Sequence, residues 1–368
     1  MPRIEFDEVS KRYTEDAIAV DDLSLTVEDG MFLCILGPSG CGKSSTLRML
    51  AGLETISSGE IRVDGRRINE LEPQTRDFAM VFENYALYPH LNVFGNLAMP
   101  LVARRRPRRE IRERVERVAE TLQITQHLQK RPRQLSGGER QRVGLGRAII
   151  RDTRTFLMDE PLGHLEAYLR VQLRAEIRRL HERLGATTVY ITHDQEEAAA
   201  VSDRIAVMSE GRLQQSGDLL TLLDNPVNRF VAEFIGDLPI SIMPASLGSA
   251  NGKLGLSAGD AHLPLAEKQA RHLGSVNAGD GPLAFGIRPR DVTLHEQPAS
   301  DRLPLEVAVI EPQGDATVVI GKTAIGSLSA RVPSHQAPPP NTEIHAAFDI
   351  ERLQLFDDSG NNLLHRPS

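Results

Sequence analysis

The chain of 368 residues contains only two cysteines, no tryptophan and 4% aromatic residues. Cys34 and Cys41 are too few for a disulfide framework, which favours a protein of a reducing compartment. No run approaches the roughly 18 consecutive apolar residues that a membrane-spanning helix needs, so a role at a membrane requires a partner. Because 43 basic residues stand against 50 acidic ones, the net charge of −7 excludes a general attraction to nucleic acid. The first residues, MPRIEFDEVSKRY, lack an apolar core, and no signal peptide is expected.

Short apolar runs alternate with helical patterns over the first two-thirds of the chain. Runs of this length without polar alternation are typical of strands buried on both faces. They occupy residues 31–36, 78–82, 155–159, 187–192 and 204–208. This alternation predicts an α/β domain with a mainly parallel sheet and helices on its faces.

After Phe234 the composition changes to short alternating segments rich in Pro, Gly and Ser, such as LPLEVAVIE and DATVVIG. Several short strands separated by turn residues predict a small all-β barrel or sandwich. This part is acidic as well, with 15 acidic and 10 basic residues from position 235 onward.

The segment 103–118, ARRRPRREIRERVERV, is rich in arginine. One interpretation is a basic arm for nucleic acid or anionic lipid. The other is the solvated face of an amphipathic helix, with Ile111, Val115 and Val118 at helical spacing on its buried face. The second is favoured, because glutamates neutralise part of the charge and no aromatic residues interleave.

Residues 37–44, GPSGCGKS, fit the phosphate-loop pattern G-x-x-x-x-G-K-[ST] between an apolar strand and a helix. The glycines let backbone N–H groups turn toward an anion, and the helix N-terminus adds its positive end. Lys43 is expected to reach the β- and γ-phosphates, and the Ser44 hydroxyl to bind Mg²⁺.

A second motif, TFLMDEP at 155–161, puts two acids at the end of an apolar strand. Two adjacent buried carboxylates would repel each other, and a nearby metal and phosphate explain them better. Asp159 is expected to hold Mg²⁺, and Glu160 to polarise the attacking water.

Between these motifs lies QLSGGERQRVGLGRAI (134–149), and after them YITHDQEEAAAVSDRIAVMSEGRLQQSG (190–217). Together the four segments resemble the signature of ATP-binding cassette (ABC) ATPases. Details such as RMLAGLE, NYALYPHLNV and GIRPRDV are similar to the ATPase subunits of maltose- and glycerol-phosphate-type carbohydrate importers. The resemblance implies an α/β P-loop NTPase domain with a helical subdomain, followed by an all-β, oligonucleotide-fold-like regulatory domain.

The same resemblance implies a composite ATP site in which the signature of one subunit closes over the ATP of another. It gives His193 a contact with the γ-phosphate, and Tyr13 a stacking role on adenine. The nucleotide-binding residues that it implies are Tyr13, Gly37, Pro38, Ser39, Gly40, Cys41, Gly42, Lys43, Ser44, Ser45, Ser136, Gly137 and Gly138.

For the organisation of the chain, the resemblance implies an ATPase domain over residues 1–235, with a helical subdomain at about 84–150, and a regulatory domain over 236–368. The expected partners are a second ATPase subunit, identical or related, and two membrane permeases that contact Asn84–His90. A solute-binding protein outside the cell is an indirect partner, and no nucleic acid is expected. This organisation implies a peripheral location at the cytoplasmic face of the cell membrane.

Two departures from the family pattern bear on activity. The family normally has glutamine before Asn84, where this chain has Glu83. After DEPL the family usually has Ser-Asn-Leu-Asp, where this chain has Gly-His-Leu-Glu at 163–166. The first change adds a carboxylate that could bind Mg²⁺ and act in catalysis, and the second affects a loop that helps two sites communicate.

Two other functions fit parts of the sequence. One is an importer ATPase for a different solute, such as an ion or a polyamine, since other subunits read the cargo. The other is an ABC ATPase that acts on nucleic acid or ribosomes. The absence of a tandem cassette, of zinc-type cysteines and of net positive charge argues against it.

Glu83→Gln is predicted to raise the rate of ATP turnover in the assembled transporter or to change its dependence on Mg²⁺. A carboxylate is a stronger Mg²⁺ ligand than an amide oxygen, and it cannot donate a hydrogen bond when ionised. The measurement is steady-state ATP hydrolysis of both proteins across a Mg²⁺ titration. Equal rates and equal metal dependence would contradict the expected effect of Glu83.

Overall fold

A computed structural model of the chain describes residues 2–82, 85–151, 153–163, 167–250, 253–275 and 282–366. The chain divides into two compact units, residues 1–218 and 219–368. This division falls before the boundary at 235/236 that the family resemblance implies. Two short helices after position 218 therefore group with the second unit.

The first unit contains the predicted alternation of strands and helices. Its strands are β1 (Ile4–Arg12), β2 (Ile18–Val27), β3 (Phe32–Leu36), β4 (Ser58–Val63), β5 (Arg66–Arg67), β6 (Ala79–Val81), β7 (Thr155–Asp159), β8 (Thr187–Thr192), β9 (Arg204–Ser209) and β10 (Arg212–Gly217). Its helices are α1 (Lys43–Ala51), α2 (Val93–Ala103), α3 (Arg108–Thr121), α4 (Gly137–Ile149), α5 (Ala167–Leu184) and α6 (Gln195–Val201).

These strands form two sheets in the described part of the unit. One sheet has the order β10-β9-β3-β8-β7-β6, with β6, β7, β8, β3 and β9 parallel to their neighbours and β10 antiparallel at the edge. Every residue of β3 and β8 is buried, which explains their unbroken apolar sequence. The other sheet, β2-β1-β4-β5, is antiparallel and was not predicted.

Among the described residues of the first unit, two apolar cores are separate from each other. One lies at the sheets and includes Leu33 of β3 and Leu47 of α1. The other, which we name the helical cluster, lies among α2, α3 and α4 and includes Leu97, Val115 and Val143. Phosphate-loop and signature segments therefore belong to different packed bodies within the unit.

The arginine-rich segment is divided by Pro107. As predicted, Ile111, Val115 and Val118 are buried on one face of α3. The helix begins only at Arg108, because Pro107 precedes it with the extended backbone of an N-cap. The arginines before Pro107 consequently lie in a turn and not on the helix.

The second unit is mostly β-structure, as predicted. Its elements are α7 (Leu219–Asp224), α8 (Arg229–Phe234), β11 (Ser241–Ala250), β12 (Lys253–Ala258), β13 (Ala261–Pro264), α9 (Glu267–Ser275), β14 (Leu283–Ile287), β15 (Val292–His295), β16 (Leu303–Gln313), β17 (Ala316–Thr323), β18 (Gly326–Pro333), β19 (Glu343–Phe348) and β20 (Gln354–Phe356). The described strands form sheets of order β13-β12-β11-β14-β20 and β15-β19-β16-β17-β18.

A buried arginine explains why α7 and α8 belong to this unit. Arg288, at the end of β14, donates from Nη1 to the Ile235 carbonyl at 2.8 Å and from Nε to the Leu223 carbonyl at 3.2 Å. Burial lowers the pKa of Arg288 to about 10. The side chain thus ties the ends of both helices to the strand.

Another buried arginine closes the C-terminal end of α1, the helix that follows the phosphate loop. Arg76 is 8% exposed and donates from Nη1 to the carbonyls of Met49 and Leu50, both at 2.8 Å. Its other nitrogens donate to the backbone carbonyls of Leu71 at 2.8 Å and Asn69 at 3.1 Å. Burial lowers its pKa, while the α1 carbonyls favour the cation.

Arg76→Met is predicted to lower the free energy of unfolding by about 3 kcal/mol, because it removes charge-assisted hydrogen bonds and leaves buried carbonyls without partners. Urea unfolding followed by circular dichroism measures it. Arg67→Met, at a side chain that is 49% exposed, is the matched control and should change little. A loss no larger than that of the control would show that the Arg76 contacts do not stabilise α1.

Candidate active site

The phosphate loop runs from the end of β3 to the start of α1, where the backbone requires glycine. Gly42 has φ 101°, and a Cβ there would lie 2.2 Å from the Ala19 carbonyl oxygen. At Gly37 a Cβ would lie 2.3 Å from the Met208 carbonyl oxygen. The loop therefore lies close against neighbouring backbone, where only glycine fits. The N-terminal end of α1 remains available to bind an anion.

The Lys43 side chain folds back over this loop and is 5% exposed. Its Nζ donates to the carbonyls of Gly37 at 2.8 Å and Pro38 at 2.9 Å, and lies 3.8 Å from Cys41 Sγ. Burial raises the pKa of the Cys41 thiol. Cys41 is therefore a protonated, buried thiol that fills space in the loop.

Ser44 and Asp159 meet although 115 positions separate them. Ser44 Oγ donates to Asp159 Oδ1 at 3.4 Å. A hydroxyl and a carboxylate are hard oxygen ligands, and Mg²⁺ usually takes one or two such protein groups together with nucleotide phosphates and waters. The pair fits Mg²⁺ in this role. Among the described residues no three His, Cys, Asp or Glu side chains form a complete metal site.

Glu160 follows β7 in a left-handed conformation with φ 43°. Its N–H donates to the Ile191 carbonyl of β8 at 3.0 Å. The Glu160 carboxylate oxygen Oε2 lies 2.9 Å from Nδ1 of His193, the residue that follows β8 by one position. The Glu160 side chain is 23% exposed and that of His193 54%. Both predicted groups therefore share one hydrogen bond at the solvent-facing edge of the sheet.

A polar network supports the segment that carries His193. Arg170 of α5 pairs with Asp194 at 3.2 Å and donates to the Gly163 carbonyl at 3.0 Å. Asp194 caps α6 by accepting from the Glu197 N–H at 3.1 Å. Arg170 thereby joins the loop after Glu160 to the residue after His193. No motif in the sequence indicates this contact.

Below this segment, Glu197 is a buried carboxylate at 1% exposure. It accepts hydrogen bonds from the Tyr190 hydroxyl at 3.0 Å and the Thr192 hydroxyl at 2.8 Å. Burial raises the pKa of Glu197 despite both donors. These bonds fasten the end of β8, directly before His193.

The signature begins α4 with a capping box. Ser136 Oγ accepts from the Glu139 N–H at 3.3 Å, and Glu139 Oε2 accepts from the Ser136 N–H at 2.6 Å. The backbone hydrogen bond lowers the pKa of Glu139. Gly137 and Gly138 form the first turn of this helix. Further along, Gln141 donates to the Pro161 carbonyl at 2.8 Å and so links α4 to the residue after Glu160.

Tyr13 presents an exposed ring, with 54% of the residue accessible. Its hydroxyl donates to the Glu54 carboxylate and lies 3.1 Å from Ser45 Oγ. The hydrogen bond to Glu54 raises the pKa of Tyr13. Lys11 Nζ lies 5.0 Å from the ring centroid. The ring is held at its polar end next to α1 while its apolar face stays accessible, as stacking requires.

A groove of about 610 Å³ opens beside the helical cluster. It is lined by Tyr85, Tyr88, Met99, Arg104 and Arg147, among others. Arg147, near the end of α4, stacks on the Tyr88 ring at 4.7 Å and donates to the carbonyls of Tyr85 and Ala86. Burial lowers the pKa of Arg147. No motif in the sequence indicates that this arginine supports the aromatic segment.

Several predicted residues lie outside the described part of the chain. Glu83 and Asn84 are among them, as are residues 164–166 of the departing loop. The described strand β6 ends at Val81, in parallel register with β7.

Comparison with known proteins identifies the family. Residues 20–163 match the family model described as ABC transporter, and residues 285–356 match that of the TOBE domain. The osmoprotective compounds uptake ATP-binding protein GgtA of Synechocystis is 43% identical over 97% of this chain and 98% of its own length. The chain belongs to the ATP-binding subunits of carbohydrate-type ABC importers.

Other relatives agree with this assignment. The xylose/arabinose import protein XacK of Haloferax volcanii is 43% identical over the whole chain and 96% of its own length. The trehalose/maltose import protein MalK of Thermococcus litoralis is 43% identical over 93% of this chain and 94% of its own. A dimeric ATP-binding cassette, MJ0796, in a post-hydrolysis state with ADP and Pi, superposes with a TM-score of 0.54 at 27% identity, covering 58% of this chain and 98% of that one.

Membership of this family makes the chain an ATP-binding, ATP-hydrolysing importer subunit. Importer ATPases of this kind dimerise and work with membrane permeases, through which they are associated with the membrane. No helix in the described part of the chain is long and apolar enough to cross a bilayer.

Glu139→Gln is predicted to lower Tm by about 1–2 °C at neutral pH, since glutamine keeps the capping hydrogen bond and only the charge contribution of about 0.5 kcal/mol is lost. The folded pKa of Glu139 is lowered, so its extra stabilisation is present above the ordinary glutamate pKa of about 4.3 and is lost as pH falls through the folded value. Thermal unfolding at pH 7, 5 and 3.5 should therefore show the difference from the parent protein closing at the lowest pH.

Glu116→Gln, at an exposed position of α3, is the control for the general loss of an acid. A difference between the Glu139 variant and the parent protein that stayed constant from pH 7 to 3.5 would contradict a charge-dependent cap.

Proposed function

We propose that this subunit binds ATP and Mg²⁺ between two ATPase copies and uses hydrolysis to power import of a sugar or related polyol. The observation that supports it most is the meeting of four polar groups at one sheet edge. Ser44 lies 3.4 Å from Asp159, and Glu160 lies 2.9 Å from His193. These are the groups needed for the metal, the attacking water and the γ-phosphate.

In the proposed site, the loop 37–45 surrounds the phosphates of the bound nucleotide. Lys43 exchanges its carbonyl partners for β- and γ-phosphate oxygens, which are stronger acceptors for an ammonium group. Tyr13 stacks on the adenine. Ser44 and Asp159 hold Mg²⁺, with Glu83 as a further candidate ligand, and the bound ion offsets charge on the phosphates.

Glu160 acts as the general base in this proposal. Its carboxylate accepts a proton from the attacking water, and His193 orients that carboxylate through Nδ1 and contacts the γ-phosphate. Arg170 and Glu197 act through the backbone on either side of His193. We propose that they keep the imidazole within reach of Glu160 and do not touch the nucleotide.

The second half of the site comes from another ATPase, either a second copy of this chain or a related subunit. Ser136, Gly137 and Gly138 present the positive end of α4 to the γ-phosphate bound by the facing subunit. ATP then contacts both halves only when they are closed, so binding shifts the pair toward the closed state and hydrolysis releases it.

We propose the groove and the segment 84–90 as the contact with the permeases. Exposed aromatic and aliphatic groups line this surface, including Phe82 at 38% and Leu53 at 49% exposure. An apolar groove of this size suits an amphipathic helix of a partner. The subunit would lie at the cytoplasmic face of the membrane, with a solute-binding protein on the opposite side and no contact with nucleic acid.

The cargo is proposed from the names of relatives, several of which import sugars, trehalose or glycerol phosphate. The relative named for uptake of osmoprotective compounds favours a second candidate, a solute of that class. Ion or polyamine import remains a further alternative. An ATPase that acts on nucleic acid is less favoured.

Glu160→Gln is predicted to lower steady-state ATP turnover by at least about 100-fold, the usual contribution of a general base. ATP binding should persist, because the amide keeps the size of the side chain, and the closed dimer should accumulate. Turnover by phosphate release and oligomeric state by light scattering measure the two effects.

Glu196→Gln, at a neighbouring carboxylate that is 83% exposed, is the matched control. Uptake of labelled trehalose, xylose, glycerol phosphate and spermidine by cells carrying either variant then tests the cargo. Full ATP turnover in the Glu160 variant would refute the proposed base, and loss of spermidine uptake alone would refute sugar import.

A further inference from the structure

Five arginines flank Pro107, three of them in the turn after α2 and two in the first turn of α3. We name residues 104–109 the arginine turn; its arginines are all exposed. Residues 104–117 contain eight arginines and three glutamates, a net charge of +5 in a chain whose net charge is −7. Charges are screened over about 8 Å at physiological ionic strength, so distant acids do not cancel this local excess.

The backbone of the turn after α2 places Arg104, Arg105 and Arg106 outside both helices. The Arg105 N–H donates to the Val102 carbonyl at 2.9 Å, and the Arg106 N–H donates to the Leu101 carbonyl at 3.0 Å. This hydrogen-bond pattern is typical of helices that end at a residue in the left-handed conformation. That residue is Arg105, at φ 56°. Glycine suits this conformation better, yet the chain has a cation there.

Carboxylates neutralise only part of the positive charge of the arginine turn. Arg104 pairs with Asp77, and Arg109 pairs with Glu113 at 2.9 Å although the arginine side chain is 91% exposed. Among the described residues, neither Arg105 nor Arg108 has a carboxylate within 4.0 Å. The turn therefore keeps cationic groups available to an outside anion.

The turn is continuous with the groove. Ala103 and Arg104 line the groove, and Val102, immediately before them, is 50% exposed. If the groove receives a membrane permease, as proposed above, this edge of the protein faces the bilayer. An exposed valine beside exposed arginines suits a surface with anionic headgroups above an apolar layer.

We propose that the arginine turn binds the anionic phospholipid surface next to the permeases, which rests on the proposed permease contact. Clusters of four to eight basic residues have this affinity for anionic leaflets. A nucleic acid is less suited, because the segment has no aromatic residue to stack on bases. Contact with lipid would hold the subunit beside the membrane when its contact with the permease weakens.

The experiment uses the purified full chain and sedimentation with vesicles, without permease or ATP. Vesicles of phosphatidylcholine with 30% phosphatidylglycerol should bind the chain at low salt, and pure phosphatidylcholine should not. Arg105→Gly together with Arg108→Gln should weaken binding at least about tenfold, since each basic residue near an anionic surface contributes roughly fivefold. Glycine fits the backbone at 105, so Tm should not fall.

The matched control is Arg179→Gln with Arg183→Gln, two exposed arginines of α5 that make the same change in net charge. Equal loss of vesicle binding in both double variants would overturn the proposal. It would also be overturned if the Arg105 and Arg108 substitutions weakened binding to a 20-nucleotide RNA but left vesicle binding unchanged. Because no permease is present, failure here leaves ATP-driven import standing. An active Glu160→Gln variant would refute that function without altering vesicle binding.

Discussion

The parallel register of β3, β8, β7 and β6 is the constraint on which the candidate site depends. Leu36 pairs with Thr192 and Asp159 with Ile191, so neighbouring strands end at nearly the same level. The phosphate loop, the two acids and His193 follow these ends directly. Residues from three distant parts of the sequence therefore meet at one edge, where parallel strands usually present ligand-binding loops.

Helix α4 connects this edge of the sheet, with its candidate site, to the groove. Its first turn carries the signature, Gln141 reaches the backbone after Glu160, and Arg147 grips the segment 85–88. A helix of 13 residues spans about 20 Å as a stiff unit. Displacement of one end must therefore move the other. For the proposed function, this gives a physical route from the candidate ATP site to the groove.

Much of the fold was predictable because buried parallel strands leave an unbroken apolar signal. The runs 155–159 and 187–192 coincide with β7 and β8. The antiparallel sheet of β1, β2, β4 and β5 was missed, since its strands mix charged and apolar residues with register shifts. The end of the first compact unit at residue 218 leaves no signal in the composition, because α7 and α8 are tied to the second unit by Arg288, whose hydrogen bonds go to backbone carbonyls.

The site was predictable where a motif fixes residue types, as at Lys43, Ser44, Asp159 and Glu160. The supporting contacts were not, because Arg76, Arg147 and Arg170 bond to carbonyls, which every residue type presents. Such contacts depend on the path of the backbone and leave no pairing pattern in the sequence. The resemblance supplied Tyr13 and His193, whereas spacing alone would not.

The separation of the two apolar cores has an energetic consequence for movement. The helical cluster has its own packed interior, so a movement of this cluster as a body would leave that interior intact. Its links to the rest of the unit include the Gln141 bond to a single carbonyl and the pair of Arg142 and Glu176 at 3.9 Å. A hydrogen bond contributes only about 1 kcal/mol net when both of its groups find new partners. Movement of the cluster therefore has to replace polar links of this kind while its apolar interior stays packed.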